Sequence, residues 1–322
     1  MLSRRTVLGS AAAFAALSAA RAQDSKGALV SVRGTRLYVE SYGDPAATPI
    51  VYVHGGPGSG SYDAGVYQGP RLGTAARLIC LDQRGVLRSD PAACVTVNDI
   101  VEDLEALRQT LGIRRWVLWG HSFGGLYAAD YALRYGPAVS GLVFENATLD
   151  PDGSLKSMLR ACGGLLAEKG NKPDSDAVLA LAEANIPARE RLLGYVRYSQ
   201  KLGAERERLY VHQQPLLDFF AKLVAASGLG KKWAQGNAQY EALVKDGALY
   251  EDLRPKLAAI TAPALMIRGR YDHVTPPDQV AAFQKGPHRT LEVFDHSSHF
   301  VHVEEADGFA SSVLRFLRGT QA

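Results

Sequence analysis

Cysteine is scarce in this chain: Cys80, Cys94 and Cys162 are the only three among 322 residues, and none falls in a C-x-x-C or Cys/His spacing. The scarcity excludes a disulfide-built scaffold and a cysteine metal cluster. Cys80 lies within an apolar run that reads as a buried strand, so a Cys94–Cys162 bond is the one pairing left open. Beyond residue 22 no apolar run approaches the length of a membrane-spanning helix. An excess of one charge sign is missing too. Lys and Arg total 36 against 33 Asp and Glu, and Arg4, Arg5 and Arg21 at the acid-free N-terminus account for the whole difference. Without a basic surplus or a dense Lys/Arg run, neither nucleic acid nor an anionic membrane surface is an expected partner. With 47% apolar and 21% charged residues, the composition is that of a globular protein and excludes disorder.

The first residues carry a distinct signature. Ser3-Arg4-Arg5-Thr6-Val7-Leu8 leads into a weakly apolar stretch from Val7 to Ala20, followed by the small-x-small pattern Ala20-Arg21-Ala22. That order resembles a twin-arginine export signal cleaved after Ala22, which implies a periplasmic protein with no stable membrane association once the signal is gone.

Alternation of short apolar runs with helical stretches sets the fold class. Leu29 to Val32 and Arg36 to Tyr42 flank Gly34-Thr35 as a hairpin. The runs Ile50 to Val53, Leu78 to Leu81, Trp116 to Trp119 and Gly141 to Phe144 then alternate with helices, the pattern of an α/β chain with a parallel sheet. One helix is bounded by a capping box, Thr96 with Asp99, and by Gly112 at its end. From about Asp150 to Leu253 the strand runs vanish in favour of Leu/Ala-rich helices. They return at Ala264 to Ile267 and Thr290 to Phe294, before a terminal amphipathic helix with Phe309, Val313, Phe316 and Leu317. A helical region is therefore expected as an insertion within a sheet domain.

The chemistry centres on Trp119-Gly120-His121-Ser122-Phe123-Gly124-Gly125, placed where a strand ends and a helix begins. Small residues around Ser122 permit the sharp turn of a G-x-S-x-G nucleophile elbow, with the helix dipole and free N–H groups aimed at the serine. A serine hydroxyl needs a base, and the base needs an acid to orient it. Asp272 and His299 follow the strand-like runs at 264–267 and 290–294, and the chain order Ser, Asp, His suits this arrangement. Glu145, also at a strand end, is the reserve acid. His121 fills the variable elbow position and is not expected as the base, because the turn fixes its direction. His296, His299 and His302 have no carboxylate or cysteine placed with them, so no metal is expected and the reaction needs no cofactor. His296 and His302 read as ordinary loop and helix-start residues. His54-Gly55-Gly56-Pro57-Gly58 follows the first central strand, and its glycines allow close backbone approach to a ligand. The N–H groups of Gly56 and Phe123 are the expected oxyanion donors.

Residues 28 to 150 and 255 to 320 resemble the alpha/beta-hydrolase superfamily, and His54-Gly55-Gly56-Pro57-Gly58 with Asp82-Gln83-Arg84-Gly85 is similar to the prolyl iminopeptidase family of serine peptidases. The resemblance implies a mostly parallel sheet with helices on both faces and an inserted helical cap. The implied division is signal 1–22, core 23–149, cap 150–254 and core 255–322. It also implies Ser122 as nucleophile, Asp272 as orienting acid, His299 as base, and release of an N-terminal proline or other residue from short peptides. The family usually has a second glycine two residues past its Asp-Gln-Arg-Gly motif, where this chain has Val86-Leu87. Its cap holds the substrate amine with acidic residues in an aromatic setting; Glu205, Glu207 and Glu241, near Tyr210, Trp233 and Tyr240, are the candidates here. A carboxylic-ester or lactone hydrolase would use the same triad without those carboxylates. A non-catalytic ligand-binding protein would need no triad at all, and Ser122 excludes the carboxylate nucleophile of epoxide and haloalkane hydrolases.

Overall fold

Successive residues of a strand point to opposite faces, and in the central strands of this chain both sets are apolar, so the sheet needs cover on two sides. A computed structural model, describing residues 27–320 apart from residue 93, shows how that demand is met. The export-like residues 1–22 lie outside the described residues. Eight strands, β1 (Ala28–Val32), β2 (Thr35–Tyr42), β3 (Pro49–Val53), β4 (Arg77–Leu81), β5 (Trp116–His121), β6 (Val139–Glu145), β7 (Ala264–Gly269) and β8 (Arg289–Phe294), form one sheet in the order β1-β2-β4-β3-β5-β6-β7-β8. The β1/β2 and β2/β4 pairs are antiparallel, and every neighbouring pair from β4 to β8 is parallel.

Ile50, Tyr52, Val117 and Trp119 face a layer completed by helices Tyr62–Leu72 and Ala306–Gly319. Val51, Val53, Trp116 and Leu118 face the opposite layer, built with helices Val97–Thr110 and Phe123–Arg134. The capping box forms as its sequence signature suggests: Thr96 Oγ1 accepts the Asp99 N–H and Asp99 Oδ2 accepts the Thr96 N–H, each at 3.1 Å. Gly112 ends that helix region with φ 66°.

Between β6 and β7 the chain contains helices only, among them Pro151–Glu168, Lys172–Glu183, Ala188–Ser199, Phe219–Ser227 and Gly236–Leu243. Leu155, Met158, Leu159, Cys162, Val178, Leu192 and Tyr195 give this cap a core of its own. All three cysteines are free thiols: Cys162 is buried in the cap and Cys94 is exposed, so the pairing left open by the sequence is not made. Among the described residues no helix is long and apolar enough to cross a membrane. The strand order reverses at β3, which sits between β4 and β5. The chain leaves β3 toward one face and β5 toward the other, opening a crevice at their carboxyl ends, where an open α/β sheet binds its ligands.

Candidate active site

β5 ends at His121 and the next helix starts at Phe123, which leaves one residue to turn the chain. Ser122 makes the turn with φ 56° and ψ −129°, a region that residues bearing a side chain rarely adopt. Close packing explains the glycines beside it. A Cβ on Gly120 would stand 2.6 Å from the Gly124 carbonyl oxygen, and one on Gly124 would overlap the Val53 carbonyl oxygen. The Ser122 carbonyl accepts the N–H groups of Gly125 and Thr148, both at 2.9 Å, which locks the elbow.

The 54–58 loop lies against this turn. A Cβ on Gly55 would be 2.7 Å from the Ser122 Cβ and 2.9 Å from the Phe123 nitrogen, so only glycine lets the two backbones meet; Gly56 follows with φ 109°. His54 anchors the loop from beneath. Its Nδ1–H donates to the Gly55 carbonyl at 3.1 Å, its Nε2 accepts the Gln83 N–H at 3.1 Å, and Gln83 Nε2 donates to the His54 carbonyl at 2.8 Å. Burial, the largest influence, lowers the His54 imidazole and suits a neutral ring that donates at one nitrogen and accepts at the other. The remainder of Asp82-Gln83-Arg84-Gly85 is scaffolding. Asp82 accepts from the Ser61 N–H and hydroxyl at 2.8 Å and from Arg88 Nε at 2.6 Å, and Arg84 grips Asp103 with two bonds of 2.5 Å. Leu87, where the family usually has glycine, is buried and takes a left-handed φ of 46°.

Asp272 and His299, 27 residues apart in the chain, meet in the loops after β7 and β8: the His299 Nδ1–H donates to Asp272 Oδ1 at 2.8 Å. Both side chains are buried. Burial would raise the Asp272 carboxyl, but the His299 bond and charge, with the N–H groups of Thr275 and Val274, hold it below the usual carboxylate range. An ionised Asp272 accepting from Nδ1–H fixes the orientation of the His299 ring. The His299 ring stands 4.6 Å, centroid to centroid, from that of His121, the residue before Ser122. His121 itself donates Nε2–H to the His299 carbonyl at 3.0 Å, a positioning contact. A cleft of about 630 Å³ is lined by cap residues 211–215 and by Tyr271, His273 and Ser298, the chain neighbours of Asp272 and His299.

Glu145 is engaged away from His299. It accepts from Trp119 Nε1 at 2.9 Å, from the His302 N–H at 2.8 Å and from His302 Nδ1 at 2.9 Å. His302 Nε2 lies 3.4 Å from Asp63 Oδ2. His302 is thus no ordinary helix-start residue but an imidazole buried between two carboxylates. Burial alone would lower it; the charge of Glu145 and the bonds to Asp63 and Glu145 override that and push it up to about 10. Nothing in the local sequence marks its pairing with Glu145, 157 residues away. Donor atoms of His121, Glu145 and His302 lie within 4.8 Å of one another. The Glu145 oxygens are already occupied by three N–H donors, however, and the imidazolium supplies the balancing charge, so the trio is built as a buried ion pair.

The cap candidates differ in their surroundings. Glu205 is half-exposed and pairs with Arg208 at 3.1 Å, and Glu241 is exposed. Trp233 donates Nε1–H to Ser227 Oγ at 2.9 Å and meets the Tyr62 ring edge-on. Glu207 is half-buried; burial raises its carboxyl while Arg206 opposes the rise. Tyr210 does reach the site, its ring 5.7 Å from that of His299 and its hydroxyl 2.5 Å from that of Tyr195. The Tyr240 hydroxyl is buried.

Residues 48–306 match the family model for the alpha/beta hydrolase fold. The chain is 36% identical over 118 residues to the proline iminopeptidase of Neisseria gonorrhoeae, a match covering 35% of this chain and 37% of that relative, so it spans well under half of the relative's length. Among solved structures, a proline iminopeptidase-related protein of Thermus thermophilus superposes with a TM-score of 0.72 at 21% identity, covering 92% of this chain and 98% of that one. A thermophilic esterase from Thermogutta terrifontis superposes with a TM-score of 0.65 at 20% identity, covering 93% and 100%. Likenesses at that identity speak for the fold. With its mostly parallel eight-stranded sheet, its elbow after β5 and a family match that spans most of its length, the chain belongs to the alpha/beta-hydrolase fold family.

Proposed function

We propose that the protein is a serine hydrolase working through an acyl-enzyme, and that it is an aminopeptidase of the prolyl iminopeptidase type acting on short peptides. The observation that carries the hydrolytic reading is the 2.8 Å bond between His299 and Asp272, set beside an elbow serine whose neighbour His121 touches the same imidazole. In this mechanism His299 takes the Ser122 proton as the oxygen attacks an amide or ester carbonyl. It returns a proton to the leaving group, then activates the water that releases the acyl group. Phe123 and Gly56 offer N–H groups to the oxyanion, each worth about 3 to 4 kcal/mol in the transition state. The peptidase type rests on the similarity to the Neisseria gonorrhoeae proline iminopeptidase and on the His54-to-Gly58 and Asp82-to-Gly85 motifs.

A second reading, a carboxylic-ester or lactone hydrolase, is favoured by one observation: Glu241 faces solvent, and the two half-buried acids lie by cations, Glu205 paired with Arg208 and Glu207 beside Arg206. Rates on prolyl-naphthylamide, its N-acylated form and short-chain naphthyl esters separate the two. Preference for the free amine supports the peptidase; preference for blocked or ester substrates supports the second reading. Ser122→Ala is expected to reduce turnover on every accepted substrate by about 10⁶-fold, and a variant that kept most of its activity would remove Ser122 from the mechanism. We also propose export through the twin-arginine route, with N-terminal sequencing of the mature protein expected to begin at Gln23.

A further inference from the structure

We propose that cap residues 210–213, docked by Glu304, are a positioning part of the acid–base machinery and complete the seat of His299. The inference rests on the catalytic reading of Ser122, Asp272 and His299. The His299 peptide is held from two directions. On its carbonyl side the sheet domain does the holding: His121 Nε2–H and Asn146 Nδ2–H both donate to that oxygen, at 3.0 and 2.8 Å. Asn146 also donates to the Ser298 carbonyl at 2.9 Å and accepts the Gly269 N–H at 3.0 Å, tying the base-bearing loop to the end of β7, from which Asp272 hangs.

On its N–H side the partner is the cap. The His299 N–H donates to the Tyr210 carbonyl at 2.9 Å. Glu304, itself buried, fixes that cap segment against the same loop: Oε2 accepts the N–H groups of His212 and Gln213 at 2.7 and 2.9 Å, while Oε1 accepts the N–H of Ser298 at 2.7 Å. Gln213 Nε2 adds bonds to the carbonyls of Glu304 and His296 at 2.7 and 3.2 Å.

The neighbours of both catalytic groups are gripped as well. The His212 ring stacks on Tyr271, next to Asp272, at 3.5 Å and 7°. Phe300, next to His299, packs against Phe219 and Phe220 of the cap at 5.2 and 4.9 Å. A carboxylate bonded to three backbone N–H groups makes charge-assisted bonds, stronger than neutral ones. Cap and catalytic loop therefore move as one body at this seam, so whatever shifts the cap shifts the imidazole. A displacement of about 1 Å at a catalytic group is enough to cost roughly 100-fold in rate.

Two variants test this. Glu304→Gln turns an N–H group toward donors that need an acceptor, and Gln213→Ala removes the two side-chain bonds at the rim while leaving the carboxylate in place. The readouts are the rate of covalent labelling by a fluorophosphonate, kcat and KM on the best substrate, and amide hydrogen exchange. Labelling and kcat are expected to fall roughly 10- to 100-fold in Glu304→Gln and several-fold in Gln213→Ala, with KM little changed. Protection should drop at Ser298 and His299 while the amides of β5, β6 and β7 stay protected. If either variant, once folded, labels and turns over at the wild-type rate, or if protection falls uniformly across the sheet, the proposal is overturned; should Glu304→Gln fail to fold, Gln213→Ala decides. A wild-type protein that takes no probe would instead defeat the acyl-transfer reading, and exchange at Ser298 and His299 would still decide the coupling.

Discussion

Ser122 depends on residues that perform no chemistry. His54 is neutral because it is buried, and it uses one nitrogen as donor and the other as acceptor to hold the loop lying on the elbow. Asp272 depends on the opposite condition, remaining ionised despite burial because His299 and two backbone N–H groups face it. Asp272→Asn should leave the fold intact and lower kcat by about 10⁴-fold, since the imidazole then loses its enforced tautomer; a loss of less than tenfold in steady-state kinetics would argue against Asp272 as the orienting acid. Leu87 sets two effects against each other. Glycine there would relieve a left-handed backbone worth about 1–2 kcal/mol, but would give up a fully buried leucine side chain worth about 2–5 kcal/mol. Burial is the larger effect, so Leu87→Gly is expected to lower the denaturant midpoint at unchanged slope.

At the scale of elements, local rules explain most of what forms. Helix Val97–Thr110 begins at the reciprocal Thr96/Asp99 bonds, so Thr96→Ala should cost about 1 kcal/mol and lower the thermal midpoint by a few degrees without changing kcat/KM. Contacts between elements obey a different constraint, backbone proximity. Gly58 of the 54–58 loop and Gly236 at the start of a cap helix touch so closely that a Cβ on Gly236 would overlap the Gly58 carbonyl. Gly236→Val should therefore unseat the cap and disturb the 54–58 loop together, read as faster proteolysis of the cap with a lower kcat; a variant with both unchanged would show that the contact is not needed. The central strands and that capped helix were legible because period-two and period-3.6 patterns are local. The seam at residues 210–213 was not, because a backbone N–H or carbonyl leaves no mark in a sequence.

For the whole molecule, the buried histidines set the pH dependence of stability, and they act with opposite signs. His302 has a folded value of about 10 against an ordinary 6.5, so its contribution is complete below pH 6.5 and is lost as pH rises toward 10. His121 is lowered by burial to about 4, with Glu145 opposing and His299 and His302 adding to the fall. The unfolded chain therefore takes up a proton below pH 6.5 that the folded one refuses, and stability drops as pH falls toward 4. The lowered carboxylates Asp63, Glu145 and Asp272 reinforce the acid limb. Thermal midpoints are expected to peak near pH 6.5, and His302→Gln should flatten the alkaline limb; a midpoint that rises between about pH 7 and 9 in the wild type would contradict the ion pair.

The amino-acid sequence alone determined the strand and helix rhythm, the elbow, and the order of Ser122, Asp272 and His299. Each of these depends on a short window of side chains or on residues at strand ends. Tertiary structure alone decided that Glu145 serves His302 and not His299, that Glu205 pairs with Arg208 while Glu241 turns to solvent, and that the N–H of His299 rests on a cap carbonyl. Those outcomes depend on which buried donor finds which acceptor across gaps of up to 157 residues, a competition settled only when the chain is packed.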